Sequence, residues 1–401
     1  MTEQILVVGA GQAGAWAALT LRQSGFSGRI LLLGEEPERP YERPPLSKTA
    51  LTAEPEPPPT YFHAATRYAE ANIEFLPATR AEKIDRAAHR LHLADGATLP
   101  YDKLLLTTGA RARPLPIPGG EHALLLRTLA DANRIRTALG AAREIICIGA
   151  GIIGLEVAAA AHQRGCAVTV LEAAPGAMGR ALAPEAARFM ENLHRAAGIL
   201  LRFNEKILAI EPAAPRGFLV HRADAPALHT DLVLAGIGIL RNTELAADAN
   251  IDVENGILVD EYGRTSDPDI FAAGDVAAFH HPFFNRRLRI EAWRHAQDHG
   301  IAVARAMCGS EKPYDEIPWF WTDQLGINLQ IAGLPAEATR TIIRPGNTFT
   351  AVHLDAEGTV IGITAANAAR EVRAGTALIK ARARPDPAAL ADPAVPLQSL
   401  R

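Results

Sequence analysis

Two stretches of this chain carry the same hydrophobic signature. Residues 5–14 (ILVVGAGQAG) run from an unbroken apolar segment into a glycine-rich turn. An apolar helical stretch follows to Leu21, and then a second apolar run, RILLLGE, over residues 29–35. Residues 145–154 (IICIGAGIIG) repeat the pattern, with helical periodicity to about Gln163 and then VTVLE over residues 168–172. An apolar run without alternation marks a strand buried on both faces, the condition of a parallel sheet. Each stretch therefore predicts strand, turn, helix, strand: a βαβ unit ending in an acid. The two begin at Ile5 and Ile145, 145 − 5 = 140 residues apart, which is a domain spacing and not a short structural repeat.

Breaks in the pattern divide the rest. Residues 54–60 (EPEPPPT) form a proline-rich loop that continues neither helix nor central strand, and Pro114, Pro116 and Pro118 ahead of Gly119 and Gly120 make a stiff connector. Residues 312–318 (KPYDEIP) are another break. From about residue 320 the runs shorten and alternate, as in Leu329–Ala332 and residues 359–364, which predicts antiparallel strands with a terminal helix. The expected organisation is a discontinuous first domain (residues 1–110 and 236–311), an inserted second domain (111–235) and a C-terminal domain (312–401).

Composition narrows the function. A length of 401 residues corresponds to two or three domains. The charge balance, 41 basic residues against 45 acidic, argues against a nucleic-acid binder. No run reaches the length of a membrane span, and the start of the chain lacks the features of a signal peptide. Cys147, Cys166 and Cys308 lie far apart with no metal-ligand spacing, so neither a disulfide framework nor a cysteine zinc site is expected. These features fit a reduced, cytoplasmic compartment.

The glycine turns carry the chemistry. Gly9, Gly11 and Gly14, and again Gly149, Gly151 and Gly154, follow a strand and open a helix. The first glycine makes the tight turn, the second admits a pyrophosphate close to the backbone, and the third lets helix pack on strand. The helix N-terminus stabilises the anion. Glu35 and Glu172 fall where the fingerprint expects an acid for ribose hydroxyls, 21 residues after Gly14 and 18 after Gly154. Two dinucleotides are therefore expected, most simply a flavin and a nicotinamide. Glu172 would repel a 2′-phosphate, and Ala173 and Ala174 follow it in place of an arginine clamp, which favours NAD, with Arg180 the nearest cation in sequence.

Further motifs occur in a fixed order: YERPPLSK at 41–48, TTG at 107–109, TSDPDIFAAGD at 265–275, RIEAWRHAQ at 289–297 and IPWFWTDQ at 317–324. Over essentially its full length the chain resembles the FAD-dependent ferredoxin–NAD(+) reductases, the family of putidaredoxin reductase and of the reductase components of aromatic-ring dioxygenases. The 3-phenylpropionate/cinnamate dioxygenase components are the nearest in length and ending. The resemblance implies a glutathione-reductase-like α/β fold: two Rossmann-type domains plus a C-terminal α+β domain. It implies FAD held by Ala13, Glu35, Lys48, Arg127, Asp275 and Trp293, with Arg43 and Thr79 as further contacts. It implies NADH along Ile153, Glu156, Glu172, Arg180, Gly236, Gly238 and Glu291, with Trp321 on the side where electrons leave. Lys48 would sit by the isoalloxazine, where a cation favours the reduced, anionic flavin. No protein acid or base is required for hydride transfer, and Lys48, Glu156, Glu291 and Trp321 would support it. Electrons would pass to a [2Fe–2S] ferredoxin and on to a terminal oxygenase, either a Rieske dioxygenase or a haem monooxygenase. Thr107 departs from the alanine more usual in the family.

Each of these residues has a second reading. Glu156 and Glu291 are also readable as solvated helix charges. Trp319 and Trp321 alternate, so that one packs in the core and the other serves the site. Arg286, Arg287 and Arg289 are either a solvated cluster or a docking patch for an acidic ferredoxin. His295 and His299 have i, i+4 spacing on a helix, but no third ligand lies near and no metal is expected. No cysteine precedes Cys147, which removes the thiol relay of disulfide reductases of this fold. Two alternatives stay open: an NADH oxidase without a protein acceptor, and a non-catalytic NADH-sensing flavoprotein.

Overall fold

The computed structural model describes residues 3–400. Both predicted βαβ units are present. In the first, β1 (Gln4–Val8) leads into α1 (Gln12–Gln23) and β2 (Arg29–Leu33). In the second, β3 (Glu144–Ile148) leads into α2 (Ile152–Gln163) and β4 (Ala167–Leu171). The chain forms two compact units.

One unit comprises Met1–Glu42, Pro59–Arg111 and Leu240–Glu316. Its main sheet is five-stranded and parallel, in the order Ile270–Ala272, Lys103–Leu106, β1, β2, Ile73–Leu76. The central strand is buried along its whole length, as its unbroken apolar sequence requires. Helix α3 (Trp293–Met307) packs along α1 at small residues. A Cβ on Gly300 would lie 2.4 Å from the carbonyl oxygen of Ala13, so the two helices meet backbone to backbone.

The other unit comprises Arg43–Pro58, Ala112–Ile239 and Ile317–Arg401. Its parallel sheet has the order Leu200–Arg202, β4, β3, Leu232–Ala235, Leu124–Leu125. Its last segment is the antiparallel sheet expected from alternation. The strand β5 (Trp319–Gln324) stands at the edge, followed by Ile327–Gly333, Val360–Ala366, Thr350–Leu354 and Arg340–Arg344. Helix α4 (Ala369–Lys380) covers it, with Gly375 set against Ile363.

The segment Arg43–Pro58 packs with this second unit, whereas the division drawn from sequence places it in residues 1–110. Two arginines explain the difference. Buried Arg136 donates to the carbonyls of Ala50 (3.1 Å) and Ala53 (2.7 Å), and Arg164 pairs with Glu54 at 2.6 Å. No local pattern in the sequence announces such long-range anchors.

Candidate active site

The glycine loop of the first unit is shaped by contacts that exclude side chains. Gly9 has φ +111°, and a Cβ there would lie 2.3 Å from the carbonyl oxygen of Thr107. On Gly14 a Cβ would lie 1.9 Å from the carbonyl oxygen of Gly9. Gly11 is different: a Cβ there meets nothing within 4 Å, so the space before the helix is open. Gly11 is also the N-cap of α1 and supplies no capping side chain, which leaves the first helical N–H groups to a ligand. The Thr107 hydroxyl shares its one proton between the carbonyls of Gly9 (2.8 Å) and Val8 (3.1 Å), so the departure from alanine adds a brace to the turn.

Other FAD candidates lie in the same unit. Ala13 faces Gly274, on which a Cβ would lie 2.8 Å from the Ala13 Cβ. Asp275 sits in the 3-10 turn Gly274–Val276, and its carbonyl accepts from Arg289 at 3.2 Å. Trp293 opens α3. Glu35 is exposed and pairs with Arg80 at 2.9 Å, while the Thr79 N–H donates to the carbonyl of Gly34 at 2.7 Å. Glu291 is exposed just ahead of α3 and pairs with Arg289 at 2.5 Å, so it is not a helix charge. Arg286 and Arg287 lie exposed on a short strand, and Arg287 donates to the carbonyl of Ala278 at 3.1 Å.

The second loop repeats the construction. Gly149 has φ +101°, with its Cβ position 2.6 Å from the carbonyl oxygen of Gly236, and a Cβ on Gly236 would lie 3.0 Å from the backbone of Gly154. Gly151 caps α2 without a side chain. The carboxylate of Glu172 accepts from the N–H of Ala150 at 2.6 Å and of Ala174 at 2.8 Å, so it braces the loop it was expected to serve. Ile153 stands exposed in the first turn of α2, and Gly238 (φ +107°) would carry its Cβ 3.3 Å from Arg180 Nη2. Glu172, Ile153 and Gly236 thus gather at one helix N-terminus, and Arg180 lies against Gly238 two residues beyond Gly236.

Glu156, one helical turn further along α2, is 3% exposed and is no solvated helix charge. A buried carboxylate needs partners, and it has three. Lys48 Nζ lies 2.7 Å from Oε2, Ser47 donates to the same oxygen, and Thr322 Oγ1 donates to Oε1 at 2.6 Å. Gln324 Nε2 in turn donates to Thr322 Oγ1 at 2.8 Å. Arg43 and Arg127 lie in the same unit as Lys48, with Arg43 donating to the Arg127 carbonyl at 2.6 Å. Trp319 and Trp321 sit on one face of β5, neither of them buried, with rings stacked at 5.4 Å. The expectation that one packs in the core does not hold, because residues i and i+2 of a strand share a face.

Residues 3–300 match the pyridine nucleotide-disulphide oxidoreductase family, and residues 319–401 match the reductase C-terminal family. The chain belongs to the pyridine nucleotide-disulphide oxidoreductases. Within that family it is 40% identical over 402 residues to the ferredoxin–NAD(+) reductase component of the anthranilate 1,2-dioxygenase system of Burkholderia cepacia, across 99% of both chains. It is 40% identical over 333 residues to the 3-phenylpropionate/cinnamic acid dioxygenase ferredoxin–NAD(+) reductase component of Photorhabdus laumondii, across 82% of this chain and 84% of the other. It overlays on the reductase of the covalent putidaredoxin reductase–putidaredoxin complex with a TM-score of 0.93 at 37% identity, covering 99% and 98% of the two chains. The fold is that of the ferredoxin reductases, as the ordered motifs imply.

In this oxidoreductase the residues present fit two dinucleotides. Each glycine loop ends at an uncapped helix N-terminus, with open space at Gly11 and the Gly236 carbonyl oxygen 3.7 Å from a Cβ on Gly151. Among the described residues no cluster of three or more His, Cys, Asp or Glu side chains is placed to hold a metal, and no helix is long and apolar enough to cross a membrane. The reading of the sequence missed Ser47, Thr322 and Gln324. Alternation along β5 puts Thr322 and Gln324 on the buried face behind two tryptophans, but nothing local in the sequence names Glu156 as a partner of Thr322 or of Ser47.

Proposed function

We propose that this chain is an NADH-dependent ferredoxin reductase that feeds a [2Fe–2S] ferredoxin and, through it, an oxygenase. Bound FAD supplies the conversion of a two-electron hydride donor into a one-electron supply. The first glycine loop, with Ala13, Glu35, Thr79, Asp275 and Trp293, holds FAD, and Arg43, Lys48 and Arg127 contribute from their own unit. The second loop, with Ile153, Glu172, Arg180, Gly236 and Gly238, holds NADH. Lys48, fixed by Glu156, presents its ammonium to the flavin, and Glu291 and Trp321 support the same step. Three domains, bounded as the sequence divides them except that residues 43–58 go with the second unit, and a cytoplasmic location complete the reading. Arg286 and Arg287 offer a basic surface for the ferredoxin, whereas the Arg289 side chain is 10% exposed and paired with Glu291.

One observation carries this reading: the segment that would bear the redox cysteines of a disulfide reductase instead bears Ser47 and Lys48, locked to a buried Glu156. An anaerobic titration tests it. NADH is expected to bleach the yellow protein, and an oxidised [2Fe–2S] ferredoxin to restore the colour as it becomes reduced. Rapid recovery with oxygen and none with any of several ferredoxins would favour an oxidase instead.

A further inference from the structure

The hydroxyl of Thr322 has one proton and two neighbours. Gln324 Nε2 donates to it, so its own proton points the other way, onto Glu156 Oε1. Both side chains are buried, Thr322 fully and Gln324 at 2% exposure, and among the described residues Gln324 Oε1 has no hydrogen-bond partner. The other carboxylate oxygen of Glu156 then faces Lys48 and Ser47. Lys48 is a flexible four-carbon stem whose head is otherwise held, among the described residues, by the carbonyl of Pro44 at 3.2 Å and the Ser47 hydroxyl at 3.4 Å. The orientation of the ammonium therefore depends on the rotation of one carboxylate, and that rotation is fixed from the far side by β5.

We infer that Thr322, oriented by Gln324, is a positioning residue for the Lys48–Glu156 pair, so that the C-terminal domain shapes the step in which NADH is oxidised. This rests on the proposed role of Lys48 beside the flavin. Thr322 acts through Glu156. The arrangement joins three separated pieces of chain: the Pro44–Ser47 turn, the second turn of α2 and the edge strand of the C-terminal sheet. The strand that shows Trp319 and Trp321 on one face thus holds the Glu156 carboxylate with the other.

The test uses the FAD-loaded enzyme and three variants. Thr322→Val keeps the shape and deletes the hydroxyl. It is expected to slow flavin reduction by NADH about tenfold in stopped-flow, the scale of one lost hydrogen bond to a charged group. KM for NADH should change less than about twofold, and Thr322→Ser should restore the rate to within about twofold. A second readout does not depend on turnover. With only six lysines in the chain, amine labelling followed by peptide mapping reports Lys48 directly, and its labelling rate should rise several-fold in Thr322→Val and return in Thr322→Ser. If Thr322→Val does not accumulate folded, Gln324→Met leaves the hydroxyl but frees its proton, and should slow flavin reduction by about threefold. A wild-type rate in either variant, or unchanged Lys48 labelling, overturns the inference. Lys48→Met and Glu156→Gln separate this from failure of the underlying reading. If they too reduce at the wild-type rate, the pair itself has no role and the inference falls with it.

Discussion

Glu172 does two jobs with one carboxylate. It closes the glycine loop by accepting from the N–H groups of Ala150 and Ala174, and its proposed second role is to select against a 2′-phosphate. Replacing it with arginine removes a charge that repels phosphate and adds one that attracts it, next to Arg180 at Gly238. Glu172→Arg should raise the ratio of kcat/KM for NADPH over NADH at least about tenfold, a change of about 1.4 kcal/mol in relative binding of the transition state. An unchanged ratio in steady-state assays with both coenzymes would remove Glu172 from the ribose site. Residues of this kind are legible because their requirement is local: a glycine at φ near +100° and an acid at the next strand end show as spacing alone. Ser47, Thr322 and Gln324 are not, since their partner Glu156 is 109 residues from the first and 166 from the second.

Helices α1 and α3 meet where small residues let their backbones touch, and that contact sets the angle at which the first glycine loop is presented. Gly300 is the critical point, because a Cβ would lie 2.4 Å from the carbonyl oxygen of Ala13 and 3.0 Å from its Cα, and backbone atoms do not move aside cheaply. Gly300→Ala should cost about 1–3 kcal/mol of stability in denaturant unfolding. It should also lower the flavin-to-protein absorbance ratio of the purified protein, since Ala13 belongs to the loop expected to hold FAD. A normal flavin content with normal stability would show that α3 yields without disturbing the loop. At this scale the sequence announces which elements exist and conceals which of them touch. Apolar runs without alternation named β1 to β4, and alternation named the C-terminal sheet. The home of Arg43–Pro58 was decided by Arg136 and Arg164, more than 80 residues further along the chain.

Across the whole molecule, buried imidazoles make stability depend on mild acid. In the first unit His281, His295 and His299 gather around Phe279 and Tyr314; burial pushes all three below the usual histidine range, His299 to about 3. Gly274, in the turn that carries Asp275, donates its N–H to His299 Nδ1 at 3.2 Å, which that nitrogen accepts only when unprotonated. In the second unit burial holds His353 at about 4, between Thr341 and Thr364, with Glu185 opposing the shift, and it lowers His194 as well. Each of these groups has a lower pKa folded than unfolded. As pH falls below about 6.5, the unfolded chain takes up protons that the folded one refuses, so the stabilisation is complete above that value and is lost towards the folded pKa. At pH 5 a group such as His299 or His353 has given up about 2 kcal/mol. The lowered carboxyls, Glu74, Asp131, Asp231 and Glu244, titrate below this window and contribute little within it. Denaturant midpoints should therefore stay nearly level from pH 7.5 to about pH 6.5 and fall from there to pH 5, and His353→Gln should flatten that slope by close to one proton. Equal midpoints at the two pH values would mean that the imidazoles reach solvent when protonated, and that the packing around Phe279 opens far more readily than its burial implies.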